Sequence, residues 1–285
     1  MKDMTEHQAP PAAQPKKKDV RRTVALIMTF AAMAVLLYFE LGKPVLSEDE
    51  TLQRLYTMTA TRGLGAATFL SILVSLGYRV MNPFRKPFGK AILFCIPAIL
   101  VVVNNLPILS LLQGTAWLVQ GDAWHILWFA LECLAIGLFE EAAFRGVALL
   151  LIAEKRHDTK WGLFKSILLS SAVFGVIHLI NILAGSSPGA VIMQIGYSFL
   201  IGAMCSVVLL KTANLWLCVI LHAVYDFCGL LVPTLGDGAL WNTPTIIFTA
   251  VLAVATTVFY VVSFLRLNPA DTERLYPQKS AEPVA

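Results

Sequence analysis

Charge is scarce in this chain. Only 14% of its 285 residues are Asp, Glu, Lys or Arg, against about 25% in soluble domains, while 57% are hydrophobic. An ordinary soluble domain is excluded, and a membrane class is indicated. The five cysteines, Cys95, Cys133, Cys205, Cys218 and Cys228, form no CxxC pair and all lie in or beside apolar runs. Such thiols serve as small packing residues, so neither a disulfide framework nor a thiolate metal site is indicated. No internal repeat divides the chain, and no soluble recognition module interrupts it. A cleavable signal peptide is also missing, because the first apolar run follows Arg22 and has the length of a true span.

What is present is a series of long apolar stretches. A helix needs about 20 such residues to cross the hydrocarbon core, and eight segments meet that need: 23–39, 64–80, 91–112, 124–153, 166–184, 190–210, 215–231 and 244–265. The flank before the second, from Ser47 to Arg62, is polar and is expected to hold a short interfacial helix. The fold class expected is therefore an all-α integral membrane protein of eight transmembrane helices. Counting from an inside N-terminus, Lys43, Arg54 and Arg62 alone among the 22 Lys and Arg fall outside, and Arg145 lies within a span. The positive-inside rule then puts both termini in the cytoplasm. Residues 1–22 read as a disordered basic tail, 23–265 as the membrane domain and 266–285 as a cytoplasmic C-terminal tail. The net charge of +4 reflects loops facing anionic lipid and indicates no nucleic-acid partner.

Against this apolar background stand two adjacent carboxylates, in Leu138-Phe139-Glu140-Glu141-Ala142-Ala143-Phe144-Arg145. A charge inside the membrane costs about 2.5–3.5 kcal/mol on insertion scales and is normally partnered and functional. Arg145 is four residues beyond Glu141, on one helix face and in the favoured order for an ion pair. Neighbouring helix residues diverge by about 100°, so Glu140 is left facing elsewhere and is the better candidate for a working base. Two later segments carry Phe174-x-x-x-His178 and His222-x-x-x-Asp226, the second with both groups one turn apart. Residue counting from the inner face brings Glu140, His178 and His222 to similar depth. Glu132, two turns before Glu140, reads as secondary. Asn104, Asn105 and Pro107 mark a helix break, and the Trp117, Trp124 and Trp128 group fits an interface belt.

The ordered pattern Glu140-Glu141-x-x-x-Arg145, Phe174-x-x-x-His178 and His222-x-x-x-Asp226 resembles the CPBP family, the type II CAAX prenyl endopeptidases and their bacterial Abi relatives. The resemblance covers about 124–231. It implies an eight-helix intramembrane endopeptidase, open toward the cytoplasm, in which Glu140 and His178 activate water while His222 and Asp226 stabilise the oxyanion or position the carbonyl. Many members have Asn at the last position, which leaves Asp226 to be protonated, to orient His222 or to bind metal.

Peptide hydrolysis does need a base for water and donors for the developing oxyanion. No His-Glu-x-x-His occurs, so the single-helix zinc protease arrangement is absent. Zn²⁺ or another divalent metal, if bound, would use Glu140, His178 and His222. The partners expected are a peptide or membrane-protein substrate, prenylated or a signal peptide, and the bilayer; the location expected is a bacterial cell membrane. Two other readings stay open: a catalytically silent scaffold or regulator of a membrane partner, and a proton-coupled transporter built on the same Glu and His residues.

Overall fold

The computed structural model describes residues 44–277 apart from 86 and 184, together with positions 27, 31, 34 and 38. The expected N-terminal tail and, but for those four positions, the span 23–39 lie outside the described residues.

The helices begin and end where local chemistry allows. α1 (Glu50–Leu76) starts at Asp49, whose carboxylate accepts the Leu52 N–H, and stops at Gly77 with φ 76°, a left-handed conformation that glycine adopts at little cost. The Leu52 amide, followed by smaller contributions from His125, holds the Asp49 carboxyl below the usual carboxylate range despite the opposing effect of burial. The separate interfacial helix expected over the polar flank does not form. Thr57, Thr61 and Thr68 each return their hydroxyl to the carbonyl one turn back, so the polar residues need no break and one helix runs through.

α2 (Phe88–Asn104) ends at the Asn-Asn-Leu-Pro sequence, and α3 (Ile108–Leu112) is a single short turn after it. The expected span over 91–112 is thus interrupted. Asn104 donates to Thr249 Oγ1 at 2.8 Å and Asn105 to the Tyr225 carbonyl at 3.0 Å, which ties the break to later helices. A two-stranded antiparallel ribbon follows, which the helical pattern of the sequence does not anticipate: β1 (Ala116–Leu118) pairs with β2 (Gly236–Gly238).

α4 (Ala123–Glu141) is capped by Asp122 and passes into a π-helical stretch, Ala142–Leu149, then α5 (Leu150–Ala153). The expected long fourth segment is therefore one rod with a widened middle. α6 (Lys160–Val176) tightens into a 3₁₀ turn, Ile177–Leu179, before α7 (Ile180–Leu183). α8 (Pro188–Thr212), α9 (Leu215–Leu235) and α10 (Thr243–Leu265) complete the bundle, started by Ser187, Asn214 and Asn242 caps.

Among the described residues, five helical stretches are long and apolar enough to cross a membrane: Glu50–Leu76, Lys160–Leu183, Pro188–Thr212, Leu215–Leu235 and Thr243–Leu265, with Phe88–Asn104 shorter. The protein is an all-helical integral membrane protein in its main architecture. The rod that begins at Ala123 carries Glu132, Glu140 and Glu141 and is not among the five.

α4 packs on α1 and α9, and α6 on α8. Leu73, Val102, Leu149, Leu163, Leu209 and Cys218 sit in one core cluster, and all five cysteines are free and buried. Glycine sets how closely α4 and α9 approach. A Cβ on Gly137 would lie 3.0 Å from the Ala223 nitrogen and from the Val219 oxygen, both backbone atoms. Gly137→Val is expected to destabilise the detergent-solubilised protein by about 1–3 kcal/mol, as overpacking does; an unchanged thermal midpoint would refute the close crossing.

The two ends of the bundle differ in charge. At one end the Leu215 amide donates to Val80, the Arg79 amide to Leu275, and Lys160 Nζ to the Leu265 carbonyl. This end carries Arg79, Arg85, Lys155, Arg156, Lys211, Arg266 and Arg274. The other end holds the ribbon and the Asp49–His125 contact.

Candidate active site

Glu141 is the most enclosed acid of the site. It is fully buried, and its Oε1 meets Arg145 Nη1 at 3.2 Å and His222 Nδ1 at 2.7 Å. The i, i+4 pair expected from the sequence is present. Arg145 is itself 1% exposed and lies over the Phe174 ring, 4.2 Å from its centre, a cation–π placement that adds to the carboxylate's compensation. Gly202 makes the room: a Cβ there would sit 2.8 Å from Arg145 Nη2 and 3.2 Å from Phe174 Cδ1.

His222, on α9, joins the parts. With Nδ1 on Glu141, its Nε2 faces Glu140 Oε2 at 3.5 Å and Asp226 Oδ2 at 3.6 Å. One imidazole thus collects three carboxylates from two helices. Glu140 and Asp226 keep 17% and 15% of their side chains exposed, so the open side of the cluster is formed by them, and the closed side by Glu141 and Arg145. The sequence spacing suggested that His222 and Asp226 face one another; it gave no sign that Glu141 would be the histidine's shorter contact.

His178 is placed differently. The 3₁₀ turn at Ile177–Leu179 carries it, and its Nδ1 lies 2.8 Å from the Phe174 carbonyl. Since that carbonyl only accepts, Nδ1–H donates and Nε2 carries the lone pair. Among the described residues His178 makes no hydrogen bond or ion pair with Glu140, Glu141, His222 or Asp226. Phe174 stands between the two histidines, with ring centres 5.2 Å from His178 and 5.9 Å from His222. In the sequence Phe174 is only a motif partner; its ring contacts with Arg145, His178 and His222 make it the wall of the site. Asn181 reaches Gln194 Oε1 at 2.8 Å, a link between α7 and α8 that its spacing could not show.

Glu132, expected to be secondary, is paired: Arg54 of α1 approaches its Oε1 at 3.2 Å. Arg54 gave no signal in the sequence, because its partner is 78 positions away.

Glu140, His178 and His222 do not converge as a metal set. Both histidine Nδ1 atoms are engaged, by Phe174 and Glu141. Among the described residues, the three donors lying within 4.8 Å of one another are those of Glu141, Cys205 and Cys218. The arrangement as it stands is fitted to move protons between carboxylates and imidazoles.

An apolar cavity of about 690 Å³ includes none of the six site residues, although Tyr225, next to Asp226 in the chain, lines it. It runs from Trp161 and Leu265 to Asn105, Tyr197 and Tyr225.

These features define an integral membrane protein with a buried acid–imidazole cluster. Residues 122–228, which hold all six site positions, match the family model described as Type II CAAX prenyl endopeptidase Rce1-like. That stretch is thus similar to the CAAX protease family, in agreement with its three motifs. No curated protein and no solved structure matches the chain.

Proposed function

We propose that the protein is an intramembrane endopeptidase that cleaves a membrane-associated peptide, with Glu140 as general base. The observation that carries this reading is the clustering of Glu140 and Asp226 at His222 Nε2, on the open side of an imidazole anchored by Glu141. In the proposed step Glu140 takes a proton from water as the oxygen attacks the scissile carbonyl carbon. His222 donates from Nε2 to the developing oxyanion. The C–N bond then breaks, and Glu140 returns its proton to the leaving amine, so protons balance. Asp226 orients His222, and Glu141 with Arg145 are positioning residues. His178 completes the activation by accepting at Nε2 a hydrogen bond from the water's other O–H, which is not transferred.

The apolar cavity beside Tyr197 and Tyr225 supports a substrate with a long apolar portion, a prenylated or signal peptide. Basic residues gathered at one end support a cytoplasmic location for that end and for both termini, and an eight-span count. A divalent ion would require Glu140, His178 and His222 to close on one another, and loss of cleavage on chelation with recovery on adding Zn²⁺ would register that rearrangement.

The test compares N-terminal peptidomes and small membrane-protein fragments from cells expressing wild type or Glu140→Gln at equal levels. Fragments present only with wild type support proteolysis and name the substrate. Matching profiles at equal expression refute it.

A further inference from the structure

The basic end of the bundle contains a second pocket, of about 440 Å³, that has no part in the site above. Arg85, Lys90, Lys211, Arg266 and Arg274 line it. They come from five separate segments: the loop before α2, α2 itself, the last turn of α8, the residue after α10, and the 3₁₀ segment Pro269–Leu275. A positive-inside bias puts cations at an end of a membrane protein. It does not bring five of them around one hollow.

Like charges so gathered need a counter-charge, and no described carboxylate pairs with them. Among the described residues, none of the five forms an ion pair with a carboxylate, although Asp271 and Glu273 share a segment with Arg274. The Arg85 guanidinium is held below its ordinary value by burial and then by the positive charges of Arg274 and Arg79. Two of the side chains are also fixed in place. Arg85 donates to the Arg79 carbonyl at 2.8 Å and Arg274 to the Lys211 carbonyl at 2.6 Å.

The start of α2 adds to this. Pro87, its cap, makes no side-chain hydrogen bond to the first turn, and that turn holds no acid. Pro87 and Ala91 line the pocket, so the uncapped N–H groups and positive dipole end of a 17-residue helix open toward the same space. Helix N-termini and arginines together are the usual receptor for phosphate. Ser263 lies in the lining and adds a hydroxyl, while the Thr212 hydroxyl, also in the lining, already donates to the Val208 carbonyl.

We propose that this pocket binds a phosphate group, carried by an anionic phospholipid or by a small soluble phosphate compound. An anionic lipid fits the setting, because basic pockets between membrane helices take such headgroups, and the exposed Leu93, Ile96, Val258 and Val262 flank it on α2 and α10. Binding here is independent of peptide hydrolysis, since the pocket shares no residue with the candidate active site.

The full-length protein in neutral detergent is titrated with phosphatidylglycerol, with phosphatidylcholine and with inorganic phosphate, with chloride at matched ionic strength as control, following thermal unfolding. Phosphatidylglycerol is expected to raise the midpoint where phosphatidylcholine does not. In the Lys90→Gln/Arg266→Gln variant, whose two positions are exposed, the same shift requires roughly tenfold more lipid, or more. A midpoint raised by inorganic phosphate, and no further by the lipid, supports the site and assigns the soluble source. No shift beyond chloride with either ligand, or an equal response in the double variant, overturns the proposal.

Discussion

Glu140→Gln is expected to lower peptide cleavage by about 10²–10⁴-fold, the range supplied by a positioned general base, with abundance and thermal midpoint close to wild type. The expectation follows from the unequal settings of two neighbouring acids. Glu140 keeps part of its side chain open and, among the described residues, pairs with His222 Nε2 alone, at 3.5 Å. Removing its charge strands no buried cation. Glu141 is fully enclosed between Arg145 and His222, and Glu141→Gln should therefore cost stability as well as activity. The check is a cleavage assay on the reconstituted protein beside a thermal-unfolding measurement of the same sample. A Glu140→Gln protein that unfolds early would move this residue into the structural class, and one that cleaves normally would remove the base altogether.

The second large effect lies at Arg145. Arg145→Ala leaves the Glu141 carboxylate fully buried without its cation, and breaking a buried pair from one side costs about 3–5 kcal/mol. Membrane levels should fall accordingly. The double variant Glu141→Gln/Arg145→Met removes both charges and keeps the volume; it should regain much of the lost stability, because apolar replacement of a buried pair is often neutral or better. It should not regain cleavage, since His222 loses the carboxylate 2.7 Å from its Nδ1. If Arg145→Ala accumulates normally, the pair is not the structural clamp described, and if the double variant cleaves at the wild-type rate, His222 does not need Glu141.

How much of this was visible in the chain follows the reach of each signal. The Glu141–Arg145 pair was legible because four residues on a helix fix a distance, and the contact is there at 3.2 Å. The break after Asn104 was legible because Pro107 lacks an amide to continue the helix. The polar flank before the second span misled, since Thr hydroxyls turned inward to the backbone let one helix run from Glu50 to Leu76. The ribbon of β1 and β2 was invisible: its strands are three residues each and pair across a separation too long for any local pattern. Arg54 with Glu132, and the five cations from five segments, were hidden for the same reason.

The sequence by itself determined that the chain belongs in a membrane, that its described part is mainly helical, and which few polar residues have no bland explanation. Hydrophobic length and the helical repeat are local properties, readable within 20 residues or so. The tertiary structure alone decided that His222 would rest on Glu141 while facing Glu140 and Asp226, and that His178 would stand beyond Phe174, held to a backbone carbonyl. Those contacts depend on how closely and at what rotation separate helices meet. Here that is set by small residues such as Gly137 against α9 and Gly202 beneath Arg145, and no periodicity within one helix records the face that its neighbour will present.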